Sequence, residues 1–160
     1  GDIDGFWAAV LQRTAERRAG MLSHRDTGAT LGQRVATIID LLYDGLTIGD
    51  SRAIENLRAA LPRDHAELER LYPKTAAELS SWGKSWLQTC QQAFADLDVD
   101  PELVHEVASF IPGAMRGIAS ERQLGTYTDL DVARRGITNA IVAYLEGPGQ
   151  SGSTPPVTSL

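Results

Sequence analysis

Glu102-Leu-Val-His105 sets a carboxylate and an imidazole three residues apart, the Glu-x-x-His spacing with which helical bundles hold paired iron ions. Such a centre needs a second Glu-x-x-His and two more inward glutamates, and the chain has no second copy of the motif. On a helical wheel His105 falls on the polar flank between Glu102 and Glu106, where a histidine is solvated. Cys90 could act as a nucleophile with a histidine beside it. The histidines are His24, His65 and His105, and Cys90 shares an apolar stripe with Trp86 and Phe94, so it reads as a buried thiol. There is no Gly-rich phosphate loop, no His-Glu-x-x-His and no Gly-x-Ser-x-Gly. The residues point away from an enzyme and call for no metal and no cofactor. A small all-α enzyme using Glu102, His105 or Cys90 stays as an alternative.

Aromatic and polarisable bulk gathers toward the middle of the chain: Tyr43, Tyr72, Trp82, Trp86, Phe110 and Met115. Such a stripe makes a packed core, and it also makes the wall of a cavity when polar groups such as Thr89, Gln92 or Ser109 join it. Periodicity alone leaves both readings open.

The elements that must position these residues are helices. From Ile3 the apolar residues Phe6, Trp7, Val10, Leu11, Met21 and Leu22 recur at the spacing of one buried face. Asp2 or Asp4 can cap that helix, and Gly20 with the polar stretch 24–30 ends it. Leu31, Val35, Ile38, Ile39, Leu42, Tyr43 and Leu46 form a second stripe, closed by Gly45 and Gly49. Ser51 then caps a short helix with Ile54, Leu57 and Leu61, stopped by Pro62. A helical stretch over 64–94 should break or kink near Tyr72, because Pro73 removes a donor and clashes with the turn before it. Asp100-Pro101 opens a helix that Pro112 should bend and that fades near Gly125. Thr128 and Asp131 have capping-box spacing before a last helix that Gly147 terminates. The fold class is all-α, with six or seven helices over 1–147. The Pro-, Gly- and Ser-rich segment 148–160 is expected to be a disordered tail.

Composition bounds the function. At 160 residues, 42% hydrophobic and 22% charged, the chain is one ordinary globular domain. A formal charge of −6 argues against direct wrapping of a phosphate backbone, which runs on clustered Lys and Arg. One cysteine excludes an internal disulfide. The apolar runs are too short to span a bilayer, so no membrane role and a cytoplasmic home are expected.

The last two helices carry two kinds of apolar residue. Around Leu130, the residues Ile137, Ile141, Tyr144 and Leu145 make a core stripe, while Ala133, Gly136 and Ala140 occupy the adjoining flank. Gly113 and Gly117 repeat the small-residue theme one helix earlier. Small residues let backbones approach closely, and a helical glycine costs about 1 kcal/mol relative to alanine, which implies a compensating contact. These two helices are therefore read as packing against their symmetry mates in a four-helix dimer interface, with Gly113, Gly117, Ala133, Gly136, Ala140 and Tyr144 in it. Interior helices of a monomer are the alternative.

The opening, Gly1-Asp2-Ile3-Asp4-Gly5-Phe6-Trp7-Ala8-Ala9-Val10-Leu11, resembles the junction between reading head and linking helix in the tetracycline-repressor (TetR) family of bacterial regulators. Gly1 matches its small residue, Asp2 its cap and Phe6 the bulky start of the linking helix, while Ile3 departs from the common lysine. Met115-Arg116-Gly117-Ile118-Ala119, Asp129-Leu130-Asp131 and Ile141-Val142-Ala143-Tyr144-Leu145-Glu146-Gly147 are similar to that family's closing helices and connector. The resemblance implies a homodimeric ligand-binding and dimerisation domain, whose DNA-reading head would precede Gly1 and would alone contact operator DNA. It implies a repressor that a small hydrophobic or aromatic molecule releases. The family's pocket between central helices, together with the aromatic clustering, nominates Ile39, Tyr43, Leu79, Trp82, Trp86, Phe110 and Met115, with Thr89 and Cys90 at the rim. A helical interaction module without a cavity is the rival reading.

Overall fold

Short polar side chains set most of the helix starts. In the computed structural model, which describes residues 2–23, 30–47, 49–126 and 129–147 (side chains at 20–23, 47 and 49–51 excepted), the elements are seven α-helices. They are α1 (Ile3–Ser23), α2 (Leu31–Thr47), α3 (Gly49–Ala60), α4 (His65–Leu71), α5 (Pro73–Phe94), α6 (Pro101–Gln123) and α7 (Leu130–Glu146). No strand occurs among the described residues, and no helix there is long and apolar enough to cross a membrane.

Asp2 caps α1, accepting from the Gly5 N–H at 2.6 Å. Asp100 caps α6 with Pro101 in its first turn, and Gly147 closes α7 at a φ of 72°, where a side chain would be strained. The expected break falls at Tyr72, which ends α4 and begins α5. Other boundaries differ from expectation. Gly45 does not close α2: it is buried inside the helix, where an added Cβ would lie 3.8 Å from the Arg18 side chain. The cap of α7 is Asp129, accepting from the Val132 N–H, in place of Thr128, which lies outside the described residues. The His24 region, the Ser51 cap, the core role of Met21 and Leu22, and the tail 148–160 also lie outside them. Thr30 and Gln33 form a reciprocal capping box at the head of α2, each side chain taking the other's backbone N–H.

Two apolar clusters fill the interior. The larger joins α2, α5, α6 and α7 through residues including Val35, Ile39, Cys90, Phe94, Val107, Met115 and Ile141. The smaller joins α1, α3 and α5 through Leu11, Ile54 and Leu57, with Leu79 and Trp82 against them. The buried face of α1 is the expected apolar one only in part: Leu11 is fully buried with Trp7 and Val10 packed beside it, and Asp4 is buried too, while Ile3 and Phe6 point outward, Phe6 at 58% exposure.

Asp4 explains that rotation. Tyr72 supplies no side-chain cap to α5, so the first N–H groups of that helix need an outside acceptor. The Asp4 carboxylate accepts from the backbone N–H of Lys74 (3.0 Å) and of Thr75 (2.9 Å) and from the Thr75 hydroxyl (2.8 Å). Burial works against the charged form, but these donors outweigh it and hold the Asp4 carboxyl below the usual aspartate range. The folded value being the lower one, the clamp contributes fully above the unfolded value of about 3.9 and is lost as pH falls through the folded value. Asp4→Asn is expected to lower stability at neutral pH by about 1 kcal/mol and to flatten the acid side of the Tm-versus-pH curve. Thermal melts of the two proteins across that range check it.

Candidate functional site

The residues nominated for a pocket separate into three places. Ile39, Cys90 and Met115 lie deep in the larger cluster, with Trp86 and Tyr43 packed against it. Leu79 and Trp82 belong to the smaller cluster. Thr89 is half-buried on α5, between exposed Gln88 and buried Cys90. Phe110 is 46% exposed and enters neither cluster, because its side of α6 faces away from α5. The structure therefore does not gather the whole set around one cavity. Inside the larger cluster it leaves a void of about 10 Å³, lined by Cys90, Phe94, Val107, Ile111 and others, which is the space of a single water. An open cleft of about 210 Å³ lies elsewhere, between Leu31, Leu97, Val99 and Leu145, and touches none of the nominated residues.

Trp86 has a structural task the sequence reading did not assign. Pro112 brings no N–H, so the carbonyl of Ala108, four residues earlier, lacks its helical donor. The Trp86 indole N–H fills that role at 2.8 Å. Proline in α6 is thus answered from α5, in a part of the core where Ala108 is fully enclosed.

Tyr43 is committed as well. The Arg134 guanidinium lies 4.4 Å from its ring centroid, and Arg122 donates to its hydroxyl at 2.8 Å. Arg134 also pairs with Asp40, so Tyr43 knits α2 to α6 and α7 at the edge of the core. At the far end of α2, Arg34 donates to the Ala93 carbonyl (2.8 Å) and to both oxygens of Asp96, satisfying the C-terminus of α5.

Glu102 and His105 are both exposed on α6, and no group of three or more His, Cys, Asp or Glu residues able to hold a metal occurs among the described residues. Burial pushes the Cys90 thiol up to about 12, so at neutral pH it carries almost no thiolate.

The other nominated surface is laid out on one side of the molecule. Gly113 and Gly117 on α6, and Gly136 and Ala140 on α7, are exposed; Ala133 is half-buried beside them. A Cβ added at any of the three glycines meets no atom within 4 Å. Phe110, Val132 and Tyr144 stand around these small residues, each about half exposed. Tyr144 is therefore surface rather than core stripe, and its hydroxyl donates to Glu106 of α6, joining the two helix faces. The apolar arc of α6 that periodicity places inside thus includes an outward half, Phe110 with Gly113 and Gly117.

Beside Trp82 the charge pattern changes. Arg18 lies over the Trp82 ring, 5.3 Å from its centroid, and the buried indole N–H of Trp82 meets no acceptor among the described residues. Apolar periodicity could not find this place, because its polar member sits on the inward line of α1. The chain matches no family model, no curated protein and no solved structure, so what it does rests on the geometry of these sites.

Proposed function

We propose that this chain is the small-molecule-sensing and dimerisation domain of a TetR-like transcriptional regulator, a repressor that reaches operator DNA through an N-terminal reading head. The observation that carries the reading is the outward face shared by α6 and α7. Three helical glycines stand there with open space above them, inside a rim of half-exposed Phe110, Val132 and Tyr144. Each glycine weakens its helix by about 1 kcal/mol, and close approach of a second copy is the compensation that fits. An isologous contact of two such helix pairs is a four-helix bundle.

The order of elements supports the rest. α1 stands where a linking helix belongs, and its first turn is fastened to α5 through Asp4. α5 carries Trp82, Trp86 and Cys90 against both clusters. A ligand that separates α5 from α6 therefore shifts the anchor of the linking helix. Shifting such an equilibrium from 1:99 to 99:1 requires about 5.5 kcal/mol of differential affinity. Paired reading helices must keep a spacing of about 34 Å, so a small tilt of each linking helix spoils the register. The packed core, with its void of about 10 Å³, is the ligand-free arrangement in this scheme.

The same packed core favours a second reading, a dimerisation module that takes no ligand. Sedimentation equilibrium tests what both share: a single species of twice the 17.3 kDa chain mass is expected, and a monomer at every concentration overturns them. Thermal shift against a panel of small aromatic molecules then separates the two.

A further inference from the structure

Two charges of opposite sign stand on one line of α7. Arg135 and Glu146 are both exposed. On a helical wheel they lie about 20° apart, and about 16 Å separates them along the axis. Their line borders the exposed strip of Val132, Gly136 and Ala140, on the side away from Tyr144 and α6. Neither charge has an ion-pair partner among the described residues. Glu146 is also badly placed within its own helix. It is the last residue of α7, where the helix end carries partial negative charge, and the last turn holds no basic residue to offset it.

Two copies that meet face to face through one patch are related by a two-fold axis lying in the plane of contact. If that axis runs along the helices, each α6 lies on the partner's α7 and like ends meet. If it runs across them, α7 lies antiparallel on the partner's α7 and opposite ends meet. The contact between Tyr144 and Glu106 fixes which levels of α6 and α7 stand side by side. Glu146 is level with the first turns of α6, which hold Glu102 and Glu106, and Arg135 is level with Arg116.

Charge separates the two arrangements. With the axis along the helices, Arg135 comes beside the partner's Arg116 and Glu146 beside the partner's Glu102, so like charges meet at both ends. With the axis across them and the crossing near Ala140, Arg135 meets the partner's Glu146, and symmetry supplies the same pair a second time. The small residues at 136 and 140 let the two backbones approach closely enough for these side chains to span the contact. The partner's guanidinium then offsets the carboxylate at the negative end of α7.

We propose that a second copy docks with its α7 antiparallel to this one, crossing near Ala140 and held at both ends by Arg135–Glu146 ion pairs between the copies. The pairing rests on the dimer reading above and adds its orientation.

Sedimentation equilibrium of charge variants tests it. Arg135→Glu and Glu146→Arg are each expected to raise the dimer dissociation constant about tenfold, because each turns two attractions into two repulsions. The effect should shrink in about 0.5 M salt, where charges are screened within a few ångströms. An equimolar mixture of the two variants is expected to recover the parental affinity, since every pair in the mixed dimer again joins opposite charges. The Arg135→Glu, Glu146→Arg double variant is expected to recover it alone. Recovery on mixing cannot come from a chain that has failed to fold. Tighter association of Arg135→Glu is the result for the axis along the helices, and it overturns the proposal. A parent dimer that Gly136→Arg dissociates, but whose charge variants keep full affinity or fail to recover on mixing, overturns the antiparallel pairing and leaves the shared face standing. A parent that is a monomer at every concentration overturns both.

Discussion

Replacing Trp86 by phenylalanine is expected to lower the stability of the chain by about 1–3 kcal/mol, and replacing Pro112 by alanine first should remove most of that loss. The reasoning is local. Phenylalanine keeps the apolar bulk against α6 but has no N–H, so the enclosed Ala108 carbonyl loses its partner at 2.8 Å. Alanine at 112 restores the helical donor to that same carbonyl. The two substitutions should therefore be non-additive, with a coupling of about 1–2 kcal/mol in a double-mutant cycle. Urea unfolding of the four proteins measures it. Additive losses would mean that the indole contributes packing alone. The point bears on function, because a ligand that draws Trp86 out of its place must supply the carbonyl with another donor or leave it bare.

The second large effect runs in opposite directions in the two states of association. Gly136→Arg meets no atom in the single chain, since even the first added carbon finds open space. Arginine is also the better helix former, so the isolated α7 should gain about 0.5–1 kcal/mol. In a dimer built on this face the same side chain brings two symmetry-related charges into a close apolar contact. The dimer dissociation constant is expected to rise by at least about 100-fold, equivalent to about 2.7 kcal/mol. Sedimentation at several concentrations, with circular dichroism to confirm helicity, reads both effects. A variant more helical than the parent and equally dimeric would place the interface elsewhere.

Much of the architecture was legible because helix ends are decided by nearby chemistry. Asp2, Asp100-Pro101, the break before Pro73 and Gly147 each act within one turn, and each functions as its type suggests. Thr30 and Gln33 have capping-box spacing as well, at the end of a polar stretch whose composition reads as loop. The turning of helices about their axes was harder to read. Apolar spacing places Phe6 inside with Trp7, Val10 and Leu11, whereas Phe6 is exposed and the Asp4 carboxylate is buried beside them. Asp4 is buried because a helix 70 residues away begins without a cap, and a period of 3.6 carries no such information.

The nominated pocket divides for a related reason. Trp82 and Trp86 are one turn apart on α5, but Trp82 turns toward α1 and α3 while Trp86 is drawn to the proline in α6. Phe110 and Tyr144 count as core by hydropathy, and lie instead on the outward face with the glycines. That small-residue flank was legible because glycine in a helix interior has a cost that must be answered somewhere.

Engineered cysteines test most directly whether two copies meet through α6 and α7. Cys90 is buried and almost wholly protonated at neutral pH, so a new surface thiol is the reactive one. Gly136→Cys and Ala140→Cys lie one turn apart on the outward face, and Ala59→Cys, exposed on α3, serves as the control. With a short thiol-to-thiol cross-linker, covalent dimers are expected at 136 or 140 far faster than at 59. Equal and slow cross-linking at all three positions would contradict the shared face.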